Sequence, residues 1–309
     1  MIREFEDRDA PGAAVLLREL HPMTVTTAEG VLHGLHARPE RARRRVWVAE
    51  HNGAIVGWGH AQLEWAIDAN DVGWLWAGVR ADRRRRGLGT ELWAQVEDHL
   101  RAHGAREFRT YVADDPAGER FVVGRGFERV GVDSLSAVDP RTADTSSLVE
   151  LERALAAQGL RAVPLGDVLD RPRDLHALFA AVLADVPADH AVTNLRYEDF
   201  VRRTLEDPAL DPDGSYVVLD GERPVSFAWL LVDREGRRAE NEMTGTLPEY
   251  RRRGLARLAK LAAMRWCAEN GIELIVTGND STNAGMLALN RELGYRPLFT
   301  WTHYVRRDS

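Results

Sequence analysis

The chain has 309 residues, of which 44% are hydrophobic and 29% are charged, and its formal net charge is −7. This acidic balance argues against general nucleic-acid binding, because contact with phosphates requires a basic face. The only cysteine, Cys267, excludes a disulfide framework and a metal site built from cysteines. The length predicts two domains of roughly 100–150 residues each.

The first half predicts a hairpin, a strand, a loop and a helix in that order. The runs VWVAE and AIVGWGHAQLEW flank Asn52-Gly53, a pair typical of a tight hairpin turn. The strand VGWLWAGV follows and leads into an arginine-glycine loop. Four apolar residues then recur at the spacing of one helix face: Leu88, Leu92, Val96 and Leu100.

The second half repeats this order around Asp220-Gly221, the strand AENEMTGTL and a second arginine-glycine loop. The string RRRGL recurs at a shift of 167 positions, from residues 84–88 to residues 251–255, and the same shift carries Gly104 onto Gly271. We therefore predict a mixed α/β fold used twice, each copy being a central sheet flanked by helices. The turn-rich segment 138–147 predicts the domain boundary, giving domains 1–145 and 146–309.

The two arginine-glycine loops suit a phosphate-bearing ligand. Their forms are Arg84-x-x-Gly87-x-Gly89 and Arg251-x-x-Gly254-x-Ala256. Glycines let several backbone N–H groups face one point, and the start of a helix adds a partial positive charge. The alternative is a solvated surface turn rich in arginine, which the recurrence of the loop disfavours.

This spacing resembles the coenzyme A pyrophosphate loop of the GNAT N-acetyltransferases. The resemblance is stronger in the second half, where residues 247–272 and 274–297 match both cofactor segments of that family. It implies acetyl-coenzyme A as co-substrate, without a metal, and a tandem layout similar to that of mycothiol synthases, with one active and one degenerate half. The implied coenzyme A contacts in the second half are Thr246, Leu247, Arg251, Arg252, Arg253, Gly254, Leu255, Ala256, Arg257, Asn283, Met286 and Asn290. Those in the first half are Val79, Arg84, Arg85, Gly87, Gly89 and Thr90.

Two carboxylates on the strand before the second loop are the candidate catalytic residues. Glu240 and Glu242 are two residues apart, which places both on one face of a regular strand. Glu240 lies eleven residues before Arg251, where histone-acetylating members of the family place their base, whereas Gly73 occupies the equivalent first-half position. We therefore predict catalysis in the second half. The alternative is that both carboxylates face solvent on an edge strand.

The general acid of the family is absent from its usual position. Many members have a tyrosine seven residues after the asparagine that corresponds to Asn283, but that position is Asn290 here and Val122 in the first half. Water could protonate the leaving thiolate, or one of three phenols, those of Tyr250, Tyr295 and Tyr304.

Together these features predict an N-acetyltransferase that transfers acetyl from acetyl-coenzyme A to a primary amine of a small molecule. The alternative is a non-catalytic coenzyme A-binding sensor or scaffold. No apolar run approaches the length of a membrane span, and the charged start lacks an apolar signal core, so we expect a cytoplasmic protein that does not bind a membrane. We also expect a monomer or homodimer without a nucleic-acid partner.

Overall fold

The computed structural model describes residues 1–67, 69, 71–185 and 195–308. The chain divides into two compact units. The first unit comprises Met1–Asp133 with Phe299–Ser309, and the second comprises Ser134–Leu298.

The first unit is one sheet with helices. Its strands are β1 (Ile2–Glu4), β2 (Arg45–His51), β3 (Ala54–Leu63), β4 (Val72–Val79), β5 (Glu107–Ala113) and most of the last strand of the chain, β12 (Arg296–Arg307). Its helices are α1 (Ala10–Leu20), α2 (Ala28–His36), α3 (Leu88–Ala102) and α4 (Pro116–Val123). The strand order is β1-β2-β3-β4-β5-β12, and β4–β5 is the parallel pair in this otherwise antiparallel series.

The second unit repeats this arrangement. Its strands are the end of β6 (Glu128–Val138), β7 (Leu160–Pro164), β8 (Tyr216–Asp220), β9 (Arg223–Asp233), β10 (Arg238–Thr246) and β11 (Leu274–Asp280). Its helices are α5 (Leu148–Ala156), α6 (Pro172–Leu183), α7 (Tyr197–Phe200), α8 (Leu255–Glu269) and α9 (Ala284–Glu292). The order is β6-β11-β10-β9-β8-β7, and β10–β11 is the parallel pair that corresponds to β4–β5. The predicted mixed α/β architecture, present twice, is confirmed.

Parts of two strands belong to a different unit from the one that their place in the sequence suggests. Residues 301–307 of β12 pair antiparallel with β5, so the end of the chain completes the first sheet. The end of β6 lies instead in the second unit, beside β11. The predicted domains 1–145 and 146–309 follow the sequence repeat. They therefore assign all of β6 to the first domain and all of β12 to the second.

The turn chemistry predicted from the sequence is present in both units. The β2–β3 hairpin turns at Asn52 and Gly53 with φ values of 51° and 76°, and Gly221 in the β8–β9 turn has a φ of 58°. Positive φ at both central residues gives a turn whose twist matches that of the strands, which explains the Asn-Gly pair. These hairpins place β4 and β10 as the strands that lead into the two arginine-glycine loops.

The helix that follows each loop forms the core of its unit. In α3, Leu92, Val96 and Leu100 are fully buried against the sheet. The sheet accommodates them because it carries glycines there; a Cβ at Gly73 would lie 2.8 Å from Cδ1 of Leu100. Each such leucine contributes roughly 2 kcal/mol through burial, so the position of the loop is fixed by the core behind it.

Candidate active site

The two arginine-glycine loops have the same backbone conformation. Arg85 and Arg252 have φ values of 64° and 63°, and Gly87 and Gly254 have φ values of 88° and 86°. Each glycine is the residue that immediately precedes its helix. The sequence repeat is therefore also a repeat of local structure, and the φ values near 87° just before each helix favour glycine there.

The first arginine of each loop braces it against the preceding strand. Nε of Arg84 donates to the carbonyl oxygen of Val79 at 3.1 Å, and Nε of Arg251 donates to that of Thr246 at 3.2 Å. In both cases the bond spans five residues, from the end of the strand to the middle of the loop. These two arginines therefore shape the loops, whatever else their guanidinium groups contact.

The start of each helix is suited to an anion. The first N–H groups of a helix have no acceptor within it, and they lie at the positive end of the helix dipole. Gly254 leads directly into α8, and Arg251, Arg252 and Arg253 beside it are exposed. In the first unit Gly87 leads into α3 in the same way. The predicted phosphate chemistry is thus available at both loops.

Strand β10 contains a β-bulge. Its pairing with β9 passes from Asn241 opposite Leu230 to Met243 opposite Trp229, so Glu242 is the extra residue. Strands β3 and β4 instead pair in unbroken register from Gly57–Val79 to Leu63–Gly73. A bulge bends a strand and redirects its side chains, and bulges are common beside active sites.

The bulge changes two inferences drawn from the sequence. Strand alternation restarts at Glu242, so the two-residue spacing no longer places Glu240 and Glu242 on one face. Glu240 lies opposite Val276 on β11, and Trp74 lies opposite Arg109, the residue that the repeat places at Val276. The structural counterpart of Glu240 is therefore Trp74 rather than Gly73. Neither Gly73 nor Trp74 carries a carboxylate.

Glu240 and Glu242 lie on an interior strand. Strand β10 has β9 on one side and β11 on the other, and Glu240 is the last residue of β10 that pairs with β11. Glu240 is therefore not on an edge, whereas Glu242 lies beyond the paired part. Glu240 is half-buried and Glu242 is exposed.

The parallel pair of each unit separates near the loop. The ladder between β10 and β11 ends at the pair Glu240–Val276, after which Oγ1 of Thr277 donates to the carbonyl oxygen of Asn241 at 3.2 Å. The ladder between β4 and β5 ends at the corresponding pair, Trp74–Arg109. The remainder of β10, up to Thr246, lies beyond this ladder and leads to the loop before α8.

A buried polar cluster lies behind the bulge, and sequence reasoning missed it. Nζ of Lys260, on α8, donates to Oδ1 of Asn241 and lies 5.0 Å from the ring centroid of Tyr295. Lys260 is 2% exposed, and burial lowers its pKa to about 7. The signal was a single lysine within the apolar run LAKLAAM. The corresponding first-half residues are apolar or aromatic: Leu75, Trp93 and Phe127.

The second predicted cofactor segment begins with a helix cap. Oδ1 of Asn283 accepts from the N–H of Met286 at 3.2 Å, which satisfies one donor at the start of α9. Asn290 is 2% exposed, and its Nδ2 donates to Oδ1 of Asn279 at 2.7 Å. Its own Oδ1 has no hydrogen-bond partner in the part of the chain that the structure describes. A buried amide thus stands where many GNAT enzymes have a phenol.

The three phenols suggested as general acids have other contacts. Tyr304 lies in the first unit and donates to Glu119 at 3.0 Å. Tyr250 donates to Asp220 at 2.7 Å. Burial raises the pKa of Tyr295, which makes it a poor proton donor.

The family follows from a comparison with known proteins. A family model described as "Acetyltransferase (GNAT) family" matches residues 15–127 and 179–295, which together cover most of the chain and include both loops. The chain belongs to the GNAT acetyltransferase family. It is a tandem GNAT protein, and members of this family generally use acetyl-coenzyme A.

Similar proteins match the chain over most of its length. Mycothiol acetyltransferase of Acidothermus cellulolyticus is 25% identical over 286 residues, which span 86% of this chain and 80% of that protein. A tandem GNAT protein from the clavulanic acid biosynthesis pathway superposes with a TM-score of 0.74 at 18% identity, over 99% of this chain and 98% of its own. A GCN5-related N-acetyltransferase from Sphaerobacter thermophilus gives 0.68 at 16% identity, over 99% and 95%. At these identities the two structures show a shared fold.

Neither a metal-binding cluster nor a membrane-spanning helix occurs within the described ranges. There, histidine, cysteine and acidic side chains form no group of three or more that could hold a metal ion. None of the helices described has both the length and the apolar character needed to cross a membrane.

Proposed function

We propose that the second unit of this GNAT protein transfers the acetyl group of acetyl-coenzyme A to a primary amine of a small molecule, and that the first unit is not catalytic. The observation that carries this proposal is the asymmetry at one strand position, where Glu240 in β10 corresponds to Trp74 in β4. Both loops have the same backbone conformation, so the loops alone do not distinguish the units.

The loop of the second unit would hold the coenzyme A diphosphate. The N–H groups at the start of α8 supply donors, and the exposed arginines 251–253 supply charge. The fit is supported by Gly254, whose positive φ lets the backbone approach a ligand closely. The segment of β10 from the bulge to Thr246 would run beside the pantetheine arm.

Glu240 would accept the proton of the attacking amine, directly or through water. The neutral amine then attacks the thioester carbonyl carbon, so that a C–N bond forms and the C–S bond breaks as the thiolate leaves. The second proton of the attacking nitrogen passes to water as the amide forms. The hydrogen bonds of Tyr250 and Tyr304, and the burial of Tyr295, support water as the source of the proton that the thiolate takes up.

The name of the similar mycothiol acetyltransferase supports a small-molecule acceptor. The acidic balance of the chain favours a cationic amine through electrostatic steering. The same balance supports the absence of a nucleic-acid partner, and the single buried cysteine fits a cytoplasmic location.

A non-catalytic coenzyme A sensor or scaffold is the second candidate. This candidate is favoured by Asn290, which stands where the family's general acid is usual. It is also favoured by the first unit, which keeps the loop conformation at Gly87 but has no carboxylate at the position of Glu240. The two candidates differ in one measurable product, free thiol.

The test is to mix the protein with acetyl-coenzyme A and a panel of primary amines, and to measure free thiol and acetylated amine together. We expect both to form in equal amounts with at least one cationic small-molecule amine. Binding of coenzyme A without either product, across the whole panel, would support the sensor instead.

A further inference from the structure

The bulge of β10 is held by one side chain. Nδ2 of Asn241 donates to two backbone carbonyl oxygens next to the bulge, that of Trp229 at 3.0 Å and that of Met243 at 3.3 Å. Asn241 is 4% exposed. Its amide therefore satisfies backbone acceptors at the point where the strand register shifts, and the shape of the bulge depends on the orientation of this amide.

The orientation of the Asn241 amide is set by its neighbours. Its Oδ1 accepts from Nζ of Lys260 and from Oγ1 of Thr244, the latter at 3.0 Å. A lysine amine has N–H groups to donate, whereas a hydroxyl can either donate or accept. The two carbonyl oxygens hold the Nδ2 end of the amide, and Lys260 supplies from α8 a second donor to the Oδ1 end, beside that of Thr244.

This arrangement is confined to the unit that carries Glu240. In β4 the residue corresponding to Asn241 is Leu75, which is 1% exposed, and the pairing there runs without a shift. The first-half counterpart of Lys260 is Trp93, whose Nε1 donates to Glu97 at 2.7 Å. The bulge, the amide and the lysine therefore occur together in one unit, and the other unit has none of them at these positions.

We propose that Lys260 is a positioning residue for acetyl transfer: by holding the amide of Asn241, it fixes the bulge that sets the places of Glu240 and Glu242. This proposal rests on the proposed function. Lys260 acts from behind the strand and contacts neither substrate. The near-neutral pKa that burial gives its amine fits this role, because a neutral amine still donates and costs less to bury.

The positioning role of Lys260 can be separated experimentally from its effect on the stability of the fold. Removing a buried amine in favour of an apolar side chain of similar length is often neutral or stabilising. In Lys260→Met, Oδ1 of Asn241 keeps the bond from Thr244, so no buried acceptor is left without a donor. A residue that served the fold alone would lose stability and activity together when replaced.

The experiment compares Lys260→Met with Met264→Leu in the full chain. Met264 lies one helical turn further along α8 and is 1% exposed, so its replacement controls for repacking of the helix. We expect Lys260→Met to lower kcat at least tenfold, with an unchanged or higher unfolding temperature and a coenzyme A dissociation constant within twofold of the wild type. Met264→Leu should keep kcat within twofold.

The remaining outcomes separate failure of this proposal from failure of the proposed function. A kcat for Lys260→Met equal to that of Met264→Leu would overturn it while leaving the proposed function intact, and so would a loss of kcat matched by a loss of folded protein. If the wild-type protein acetylates no amine, the proposed function fails. In that case a crystal structure of Lys260→Met tests whether Lys260 fixes the bulge. An unchanged β9–β10 register with an unchanged Asn241 amide would overturn this claim, and an altered register would support it.

Discussion

At the scale of single residues, the account depends on Glu240 as the proton acceptor. We expect Glu240→Gln to lower kcat about 100-fold at neutral pH, the range typical of a lost general base, because an amide cannot take up the amine proton. Affinity for coenzyme A should not change. The matched control is Glu235→Gln, the same change at an exposed position in the turn before β10. A pH–rate profile for Glu240→Gln that overlays the wild-type profile would contradict the assignment.

The lowered pKa of Lys260 predicts how the stability of the protein depends on pH. Burial lowers its pKa from 10.5 to about 7, whereas the unfolded chain keeps the higher value. Between these pH values the unfolded state binds more protons, so the free energy of unfolding rises with pH. The cost of burying the ammonium is fully present below pH 7 and disappears as the pH approaches 10.

The difference in unfolding free energy between Lys260→Met and the wild type isolates this effect. We expect the variant to be the more stable by a few kcal/mol at pH 6, since each pKa unit corresponds to about 1.4 kcal/mol, and this advantage to shrink between pH 7 and pH 9.5. Urea unfolding of both proteins at several pH values measures it. A difference that stays constant with pH would mean that Lys260 titrates normally in the fold.

The sequence could identify Glu240 but not the residues behind it. Counting back from Arg251 finds a carboxylate on a strand, because loop and strand patterns are local. Lys260 is a single lysine in an apolar run, which is the usual pattern of a helix with one face in solvent. It is buried because α8 is covered on several sides, and the sequence of the helix does not show this. Counting also assigned Gly73 as the counterpart of Glu240, since an inserted residue inside a strand leaves no mark in the hydrophobic pattern.

At the scale of elements, the two loops can be tested separately because their backbones are alike. Gly254→Asp should abolish coenzyme A binding in the second unit, since it places an anion and a strained backbone at a residue with a φ of 86°. Gly87→Asp makes the same change at a φ of 88° in the first unit. Titration calorimetry measures the number of sites. Full occupancy in Gly254→Asp would show that the loop is not the phosphate site.

Hairpins, loops and the helices after them were predictable because each is encoded by neighbouring residues. Asn52-Gly53 predicts a turn from two residues, and Gly104 and Gly271 mark helix ends at φ values of 87° and 74°. The bulge in β10 was not predictable. It is set by a lysine nineteen residues away from Asn241, on another element.

At the scale of the whole molecule, the last strand of the chain belongs to the first unit. Tyr304 and Val305 of β12 are 2% and 4% exposed, and Tyr304 is part of the core beside α3. Ending the chain after Leu298 should therefore destabilise the first unit, although the removed residues are the most distant in sequence. Hydrogen exchange should show loss of protection in β5. Ending the chain after Asp308 is the control, and equal protection in both truncated chains would contradict the pairing.

The number of domains and their fold class followed from the repeat, but the exchange of β6 and β12 did not. The repeat records which residues were duplicated, whereas a strand such as β12 carries no sequence mark of the edge with which it will pair. Each half therefore looks complete in sequence, while each compact unit takes one strand from beyond its half.

Of the two similar units, the second is proposed to perform the transfer. The most direct measurement is the rate of thiol release from acetyl-coenzyme A, with an accepted amine present, for Gly87→Asp and Gly254→Asp side by side. We predict that Gly87→Asp keeps at least half of the wild-type rate and that Gly254→Asp loses nearly all of it. The reverse pattern, or equal losses in both variants, would contradict the account.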